Sequence, residues 1–276
     1  MIGPEDAEQA SVPLKNTALL VSYDGRPYHG WQRLRDQSTV QGTLEEAVAE
    51  IFEVYEAVAG SGRTDRGTHA VGQVASVRLP ADTEAIEVVR RLNEYLQETT
   101  DGTIIVEDAA HVPDDFHALH SCTGKTYRYA LWLNDDLPPE YERKVWHVHG
   151  EFDLDAMAAA IPMFEGEHDF ASFASKSDFD RHGTVRWLSQ ASMFWEGPVV
   201  EMVFTGNGFL YKMVRNLVRA IVRVGEGRST AEQLAEILAA KDRKRAPGTA
   251  PASGLYLDEV YYNPPIFSES TDERTR

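Results

Sequence analysis

A single cysteine, Cys122, occurs in 276 residues, so the chain can form neither an internal disulfide nor a multi-thiolate zinc or iron–sulfur site. No run of about 18 apolar residues is present, which excludes a bilayer-spanning helix. The first eleven residues carry three acids, no base and no apolar core, so no secretory signal is expected and the expected location is cytoplasmic. Lysine is scarce as well: 7 residues against 20 arginines. Acids outnumber bases to a formal net charge of −17, which by itself argues against a polyanionic partner. The makeup of the basic side argues the other way, because arginine offers the planar, bidentate donor fork that suits phosphates and base edges.

What is present is ordinary for a globular protein: 42% hydrophobic and 26% charged residues, enough for one large domain or two small ones. Residues 1–15 and 265–276 read as polar, flexible ends, leaving an N-terminal α+β half over 16–113 and a C-terminal half over 114–264. The spacing predicts a strand over 16–23 and a helix over 40–55, with Thr39 as its N-cap and Val40, Leu44, Ala47, Val48, Ile51 and Val54 on one stripe. A glycine-rich loop at 60–69 leads to a strand over 71–79, a helix near 84–98 and a strand near 103–112. The second half predicts strands over 121–133 and near 143–149, and a helix around 153–164. A long loop with Phe170, Phe173, Lys176, Arg181 and His182 follows, then a hairpin at 185–195 and 199–205. Helices over 209–225 and 230–240, the second opened by a Thr230-x-x-Gln233 capping box, precede a last strand over 254–262. Two α+β halves facing each other across a cleft is the economical architecture.

Three segments have the residue types that chemistry needs. In Gly60-Ser-Gly-Arg63-Thr-Asp65-Arg66-Gly-Thr-His69, Asp65 has an arginine on each side. It reads either as a turn aspartate between two solvated arginines or, if one arginine turns inward, as an ionised carboxylate competent as nucleophile or base. No Lys-Ser/Thr follows the glycines, so the loop is not a P-loop. In Lys125-Thr-Tyr127-Arg128-Tyr129-Ala-Leu131-Trp-Leu133, alternation puts both tyrosines on one face, either as core or as a surface on which a base stacks beside Asp65. Residues 205–225 contain no acid. On a helix Lys212, Arg215, Arg219 and Arg223 share one side opposite Leu210, Met213, Val214, Leu217, Ile221 and Val224. Four such charges repel unless an anion compensates them, which points to phosphate or carboxylate contact. His117-x-x-His120 and His147-x-His149 each lack a third ligand, so no metal site is expected, and Gly206-x-Gly208 and Gly225-x-Gly227 are too short for dinucleotide fingerprints.

Read together, Tyr23-Asp-Gly-x-x-Tyr28-x-Gly30-Trp31-Gln32, Thr39-Val-Gln41-Gly42-x-Leu44-Glu45, the Gly60–His69 loop, Phe116-His117-Ala118, Lys125-x-Tyr127-Arg128-Tyr129, Phe209-Leu-Tyr-Lys-Met-Val-Arg215-Asn216 and Ala250-Pro-Ala-Ser-Gly254-Leu255-Tyr-Leu257 resemble, in this order, the tRNA pseudouridine synthase A (TruA) family. The resemblance spans about residues 16 to 262. It implies the pseudouridine synthase fold, with a mostly antiparallel central sheet flanked by helices. It also implies isomerisation of uridine to pseudouridine at positions 38, 39 and 40 of the tRNA anticodon arm, without cofactor or metal, by a homodimer that binds RNA across both subunits. By position, Asp65 matches the catalytic aspartate, Tyr127 the tyrosine that stacks on the target uracil and Arg215 the basic partner of the aspartate. Arg63 matches an arginine implicated in flipping the nucleotide out, and Leu255 lines the uracil pocket; Arg66, Lys212, Arg219 and Arg223 are the further candidates for RNA contact. One departure is Leu119, where the family has arginine; His120 or Lys125 could supply the missing contact. The acidic, lysine-poor composition adds the expectation of a halophilic archaeal source. Two other readings stay open from residues alone: a non-catalytic structured-RNA-binding protein, and an aspartate-dependent phosphotransferase, which needs Mg²⁺ and further carboxylates.

Overall fold

The last strand of the chain holds its two halves in one sheet. In the computed structural model, residues 12–175 and 183–267 are described; Lys176, Arg181 and His182 of the expected long loop, and most of both polar ends, lie outside the described residues. Strands β1 (Leu14–Tyr23), β2 (Ala59–Gly60), β3 (His69–Pro80) and β4 (Ile104–His111) come from the first half. From the second come β5 (Gly124–Trp132), β6 (Trp146–His147), β7 (Gly166–Asp169), β8 (Val185–Glu196), β9 (Val199–Gly206) and β10 (Leu255–Tyr261). The order is β4-β1-β3-β10-β5-β9-β8-β7, with β2 on β3 and β6 on β5. Among the described residues only the β3·β10 and β5·β6 pairings are parallel. β10 runs antiparallel to β5 from Leu255 opposite Tyr129 to Tyr261 opposite Gly124, and meets β3 through Tyr256 opposite His69 and Leu257 opposite Ala70. The seam between the halves therefore passes through the end of the glycine-rich loop and the tyrosine-bearing strand.

Five helices, α1 (Val40–Phe52), α2 (Ala85–Thr100), α3 (Leu154–Ala160), α4 (Met213–Gly225) and α5 (Ala231–Ala240), contribute buried side chains to one contiguous core with Leu19, Ala75, Tyr129, Leu131 and Phe204 of the sheet. Alternation sends Ala18, Val74, Ala130 and Trp132 to the other face, where connecting segments cover them in two smaller clusters. Thr39 caps α1 by accepting from Gly42 N–H, and Thr230 and Gln233 form the expected reciprocal box on α5.

Four boundaries differ from expectation, each for a local reason. α1 stops at Phe52 rather than 55 because Glu53 turns left-handed at φ 56°, while Val54 stays buried from extended chain. The helix expected around 153–164 is α3 plus a 3₁₀ turn at Ile161–Phe164, where Pro162 withholds an N–H. The strand expected near 143–149 pairs only at Trp146 and His147. α4 begins at Met213, because Lys212 takes φ 61° and terminates the preceding turn. Lys212 is thus not on the helical face with the arginines. Among the described residues no helix is long and apolar enough to cross a membrane.

Candidate active site

The loop between β2 and β3 is held from below at almost every residue. Ser61 donates its N–H to Val74 (2.7 Å) and its hydroxyl to Gln73 Oε1 (2.6 Å), while Gln73 Nε2 donates back to the Gly62 carbonyl (2.9 Å). Thr64 is buried, shares a 2.8 Å hydrogen bond with the Tyr23 phenol and accepts Trp31 N–H at its carbonyl. Burial pushes the Tyr23 phenol up to about 12, outweighing its hydrogen bonds, so it is a neutral anchor. Gly30 is required where the Tyr23–Gln32 motif passes under this loop: its φ is +96° and a Cβ would stand 2.6 Å from the Thr64 carbonyl oxygen. Thr68 N–H closes the turn on the Asp65 carbonyl at 3.0 Å.

His69 ties off the far end of the loop. Its Nδ1 accepts the Gly25 N–H (3.2 Å), which leaves the proton on Nε2 for donation to the Arg143 carbonyl (3.1 Å); the ring stacks on Tyr256 at 4.7 Å. Burial lowers its pKa more than nearby Asp24 raises it.

This scaffold presents Asp65, whose carboxylate is met by Arg215 from the first turn of α4, 150 residues away in sequence. The two side chains are 21% and 14% exposed, so the ion pair is shielded yet reachable from solvent. The arginines adjacent to Asp65 do not turn inward. Arg63 and Arg66 are exposed, and among the described residues neither has a hydrogen-bond or ion-pair partner. Arg215 is itself braced, Nε donating to the Ala250 carbonyl (2.8 Å) while its own carbonyl accepts Ala250 N–H (3.1 Å). Beside it, the Tyr129 hydroxyl donates to the Pro251 carbonyl at 2.7 Å. Leu255, which begins β10 opposite Tyr129, is buried.

Tyr127 lies under the loop: its hydroxyl is 3.8 Å from where a Cβ on Gly62 would be, and its ring meets Phe209 edge-on at 5.0 Å. Burial, reinforced by the negative charge of Asp65, raises its pKa well above the ordinary phenol value. The phenol is therefore protonated at neutral pH. The site combines a shielded carboxylate–guanidinium pair, a neutral phenol and an apolar wall, which suits a flat, uncharged ring.

The remaining basic residues divide. Arg219 donates to Glu226 (3.2 Å) and lies over Trp146, and Arg223 reaches the Arg228 carbonyl at 3.5 Å. Asp65 and Glu226 thus compensate two of the charges for which the sequence suggested an external anion. Lys212 lies over the Tyr211 ring. Leu119 is 46% exposed, and His120 packs on His117 with ring centroids 4.3 Å apart. Lys125 lies beside the loop, its Cε 3.3 Å from the position of a Gly62 Cβ. His147 and His149 also pair, at 4.1 Å, and among the described residues no group of three or more His, Cys, Asp or Glu is arranged to hold a metal ion. Two participants carry no sequence signal of their role: Ala250, which acts through its backbone, and Gln73, which props the loop from the middle of β3.

A family model described as tRNA pseudouridine synthase matches residues 160–263. Over nearly the whole chain the sequence is similar to proteins named tRNA pseudouridine synthase A. It is 41% identical over 246 residues to that of Methylacidiphilum infernorum, covering 89% of this chain and 95% of the relative. With that of Solidesulfovibrio magneticus it shares 42% over 254 residues, 90% of this chain and 91% of the relative. With that of Acetivibrio thermocellus it shares 37% over 250 residues, 90% of this chain and the full relative.

Proposed function

The chain belongs to the tRNA pseudouridine synthase A family, and from that premise we propose that it isomerises uridine to pseudouridine at positions 38, 39 and 40 of the tRNA anticodon arm, in the cytoplasm, with Asp65 as the reacting carboxylate. The observation that carries this reading is the Asp65–Arg215 pair, an anion held on an arginine-flanked loop beside a tyrosine and an apolar wall. An RNA-binding module gains nothing from a carboxylate there, since it repels phosphate.

The reaction breaks the bond from C1′ to N1, turns the uracil in place and forms the bond from C1′ to C5. The C5 proton leaves and N1 takes one up, so atoms balance without a cofactor. Cleavage needs a carboxylate oxygen at the sugar, either to attack or to take the C2′ proton and give a glycal, and Asp65 serves both routes. Arg215 fixes the orientation of that oxygen. The Tyr127 ring carries the uracil face, and its neutral phenol relays the proton lost from C5, accepting it on oxygen as its own proton passes to a water. Leu255 closes the apolar side and excludes water. A uridine within the anticodon arm reaches this site only by leaving its stack, at a cost of a few kcal/mol, and the unpartnered Arg63 fills the vacated position. Arg66, Lys212 and Arg223, with Lys125 beside the loop, contact the RNA backbone, whereas Arg219 is taken up by Glu226.

A second copy of the chain completes the RNA-binding surface. Phe194 and Trp195 of β8 are 59% and 44% exposed, beyond the stretch Val185–Leu188 over which β7 covers the β8 edge. An apolar strand edge of this kind is normally covered.

Incubation with unmodified tRNA followed by mapping of pseudouridine tests the reading. Product at 38, 39 and 40 is expected; tight tRNA binding with no product at any uridine identifies an RNA-binding protein instead. Sedimentation at micromolar concentration tests the dimer, with a monomer as the refuting result.

A further inference from the structure

Residues 243–250, just before the uracil-pocket strand, are stitched together by groups that the chemistry above does not employ. Arg243 is half-buried, and among the described residues no carboxylate pairs with it. Its Nη1 donates to the carbonyls of Ala246 (3.2 Å) and Pro247 (2.8 Å), and its Nη2 to Asn216 Oδ1 (3.1 Å). Burial without a counter-ion lowers its pKa, and keeping a cation in such a place is unfavourable. An uncharged side chain of equal length would fill the space without that penalty, so packing alone does not account for arginine.

Asn216 is fully buried and adjoins Arg215 on α4. Its Oδ1 accepts from Arg243 and from the Thr249 hydroxyl (2.7 Å), and its Nδ2 donates to the Phe173 carbonyl (2.7 Å). One amide thus joins α4, the segment at Phe173 and the 243–249 loop. The next residue along that loop is Ala250, whose carbonyl receives Arg215 Nε while Arg215 Nη1 turns to Asp65.

We propose that Arg243 and Asn216 are positioning residues for the Asp65–Arg215 pair, fixing residues 246–250 so that the Ala250 carbonyl sets the plane of the Arg215 guanidinium. The proposal rests on the reading of Asp65 and Arg215 as the reacting centre. A guanidinium has one plane; with Nε pinned, the direction of Nη1 follows. Releasing the loop lets Arg215 rotate, and displacement of about 1 Å at a reacting group can cost on the order of 10²-fold in rate. Binding of tRNA does not depend on this plane, so rate and affinity separate.

The test is a double-mutant cycle on single-turnover pseudouridine formation with unmodified tRNA. Arg243→Met keeps the stem and removes the donors; it lowers the rate constant at least about tenfold and leaves the tRNA Kd within about twofold. In an Arg215→Lys background, where no Nε meets Ala250, the same change alters the rate by less than about twofold. Thr249→Val, which retains shape and removes one hydroxyl bond to Asn216, gives the same split with a smaller loss and decides the matter if Arg243→Met does not fold. Val88→Ala loosens α2, which packs on β4 and α1 in the first half, and, compared at equal distance below its thermal midpoint, keeps the wild-type rate. Equal losses in both backgrounds, or weaker binding with an unchanged rate, overturn the proposal while leaving the function intact. A wild-type protein that makes no pseudouridine overturns the function itself.

Discussion

Asp65 and Tyr127 are joined by proximity but are expected to fail differently. Asp65→Asn abolishes pseudouridine formation, because an amide neither attacks C1′ nor takes a proton there, while tRNA affinity stays within a few-fold since the change removes an anion from an RNA-facing loop. Measurable single-turnover product from the Asn variant would contradict the role. Tyr127→Phe retains the ring and its contact with Phe209, so binding holds; loss of the proton relay lowers the rate by about 10²–10⁴. Wild-type rate in that variant would leave the phenol no part in the chemistry. His69 makes a pH-dependent contribution to stability, and the sign follows from its depressed pKa in the folded chain, set by burial against Asp24, Arg26 and Lys144. Below the ordinary value of 6.5 the unfolded chain binds the proton that folded His69 refuses, so stability is full above that pH and declines as pH falls through the folded-state pKa. Denaturation midpoints at pH 7.5 and 5.5 should differ less in His69→Gln than in wild type; an unchanged difference would assign the effect elsewhere. At this scale the sequence pointed to the pairing of Asp65 with Arg215, since each lies in a local motif. It was silent about Arg243 bracing Arg215, because their link runs through a loop carbonyl and an amide with no period or spacing to mark it.

Among the elements, the glycine-rich loop is the one whose neighbours leave it least freedom. A Cβ on Gly60 would lie 2.4–2.6 Å from three atoms of the Trp31 indole, itself 3% exposed and packed near Tyr23, so the ring has nowhere to go. Gly60→Ala is expected to cost about 1–3 kcal/mol by overpacking and to slow turnover as well, since the same backbone leads into Asp65. Chemical denaturation and single-turnover assays on one preparation check both; an unaffected rate would show the loop tip insulated from its base. Helices with side-chain caps were legible to within a residue or two at their starts: Thr39 before α1 and Thr230 before α5. The start of α4 was not, because apolar spacing runs without a break from Leu210 through Met213 while the chain turns left-handed at Lys212. That turn is a backbone event which side-chain pattern does not encode. The strands of seven to twelve residues were legible, whereas β6, at two residues, is too short to show a period.

For the molecule as a whole, a charge of −17 and an RNA substrate act against each other, and salt decides the balance. Phosphate contacts ordinarily weaken by about 10³–10⁵ between 50 and 200 mM salt for six to ten contacts. Self-repulsion and long-range repulsion of RNA are screened too, and at 1 M the screening length is only about 3 Å. Contacts at hydrogen-bond distance and stacking on Tyr127 outlast those fields. Thermal midpoint and turnover are expected to rise together from 0.1 M towards molar KCl, as a salt-adapted protein requires. A monotonic decline of both above about 0.2 M would leave the acidity without that explanation. The placement of β10 between β3 and β5 has a further consequence, for the order in which the molecule can be made. A ribosome delivers the N-terminal half first, at about 5–20 residues per second, and β3 then waits with an open edge while roughly 170 more residues are added. Neither half gains its shared neighbour until β10 arrives, so the nascent chain is exposed to wrong strand pairing for many seconds. Until residues 255–261 have been added, the halves that carry Asp65 and Arg215 are not joined in one sheet.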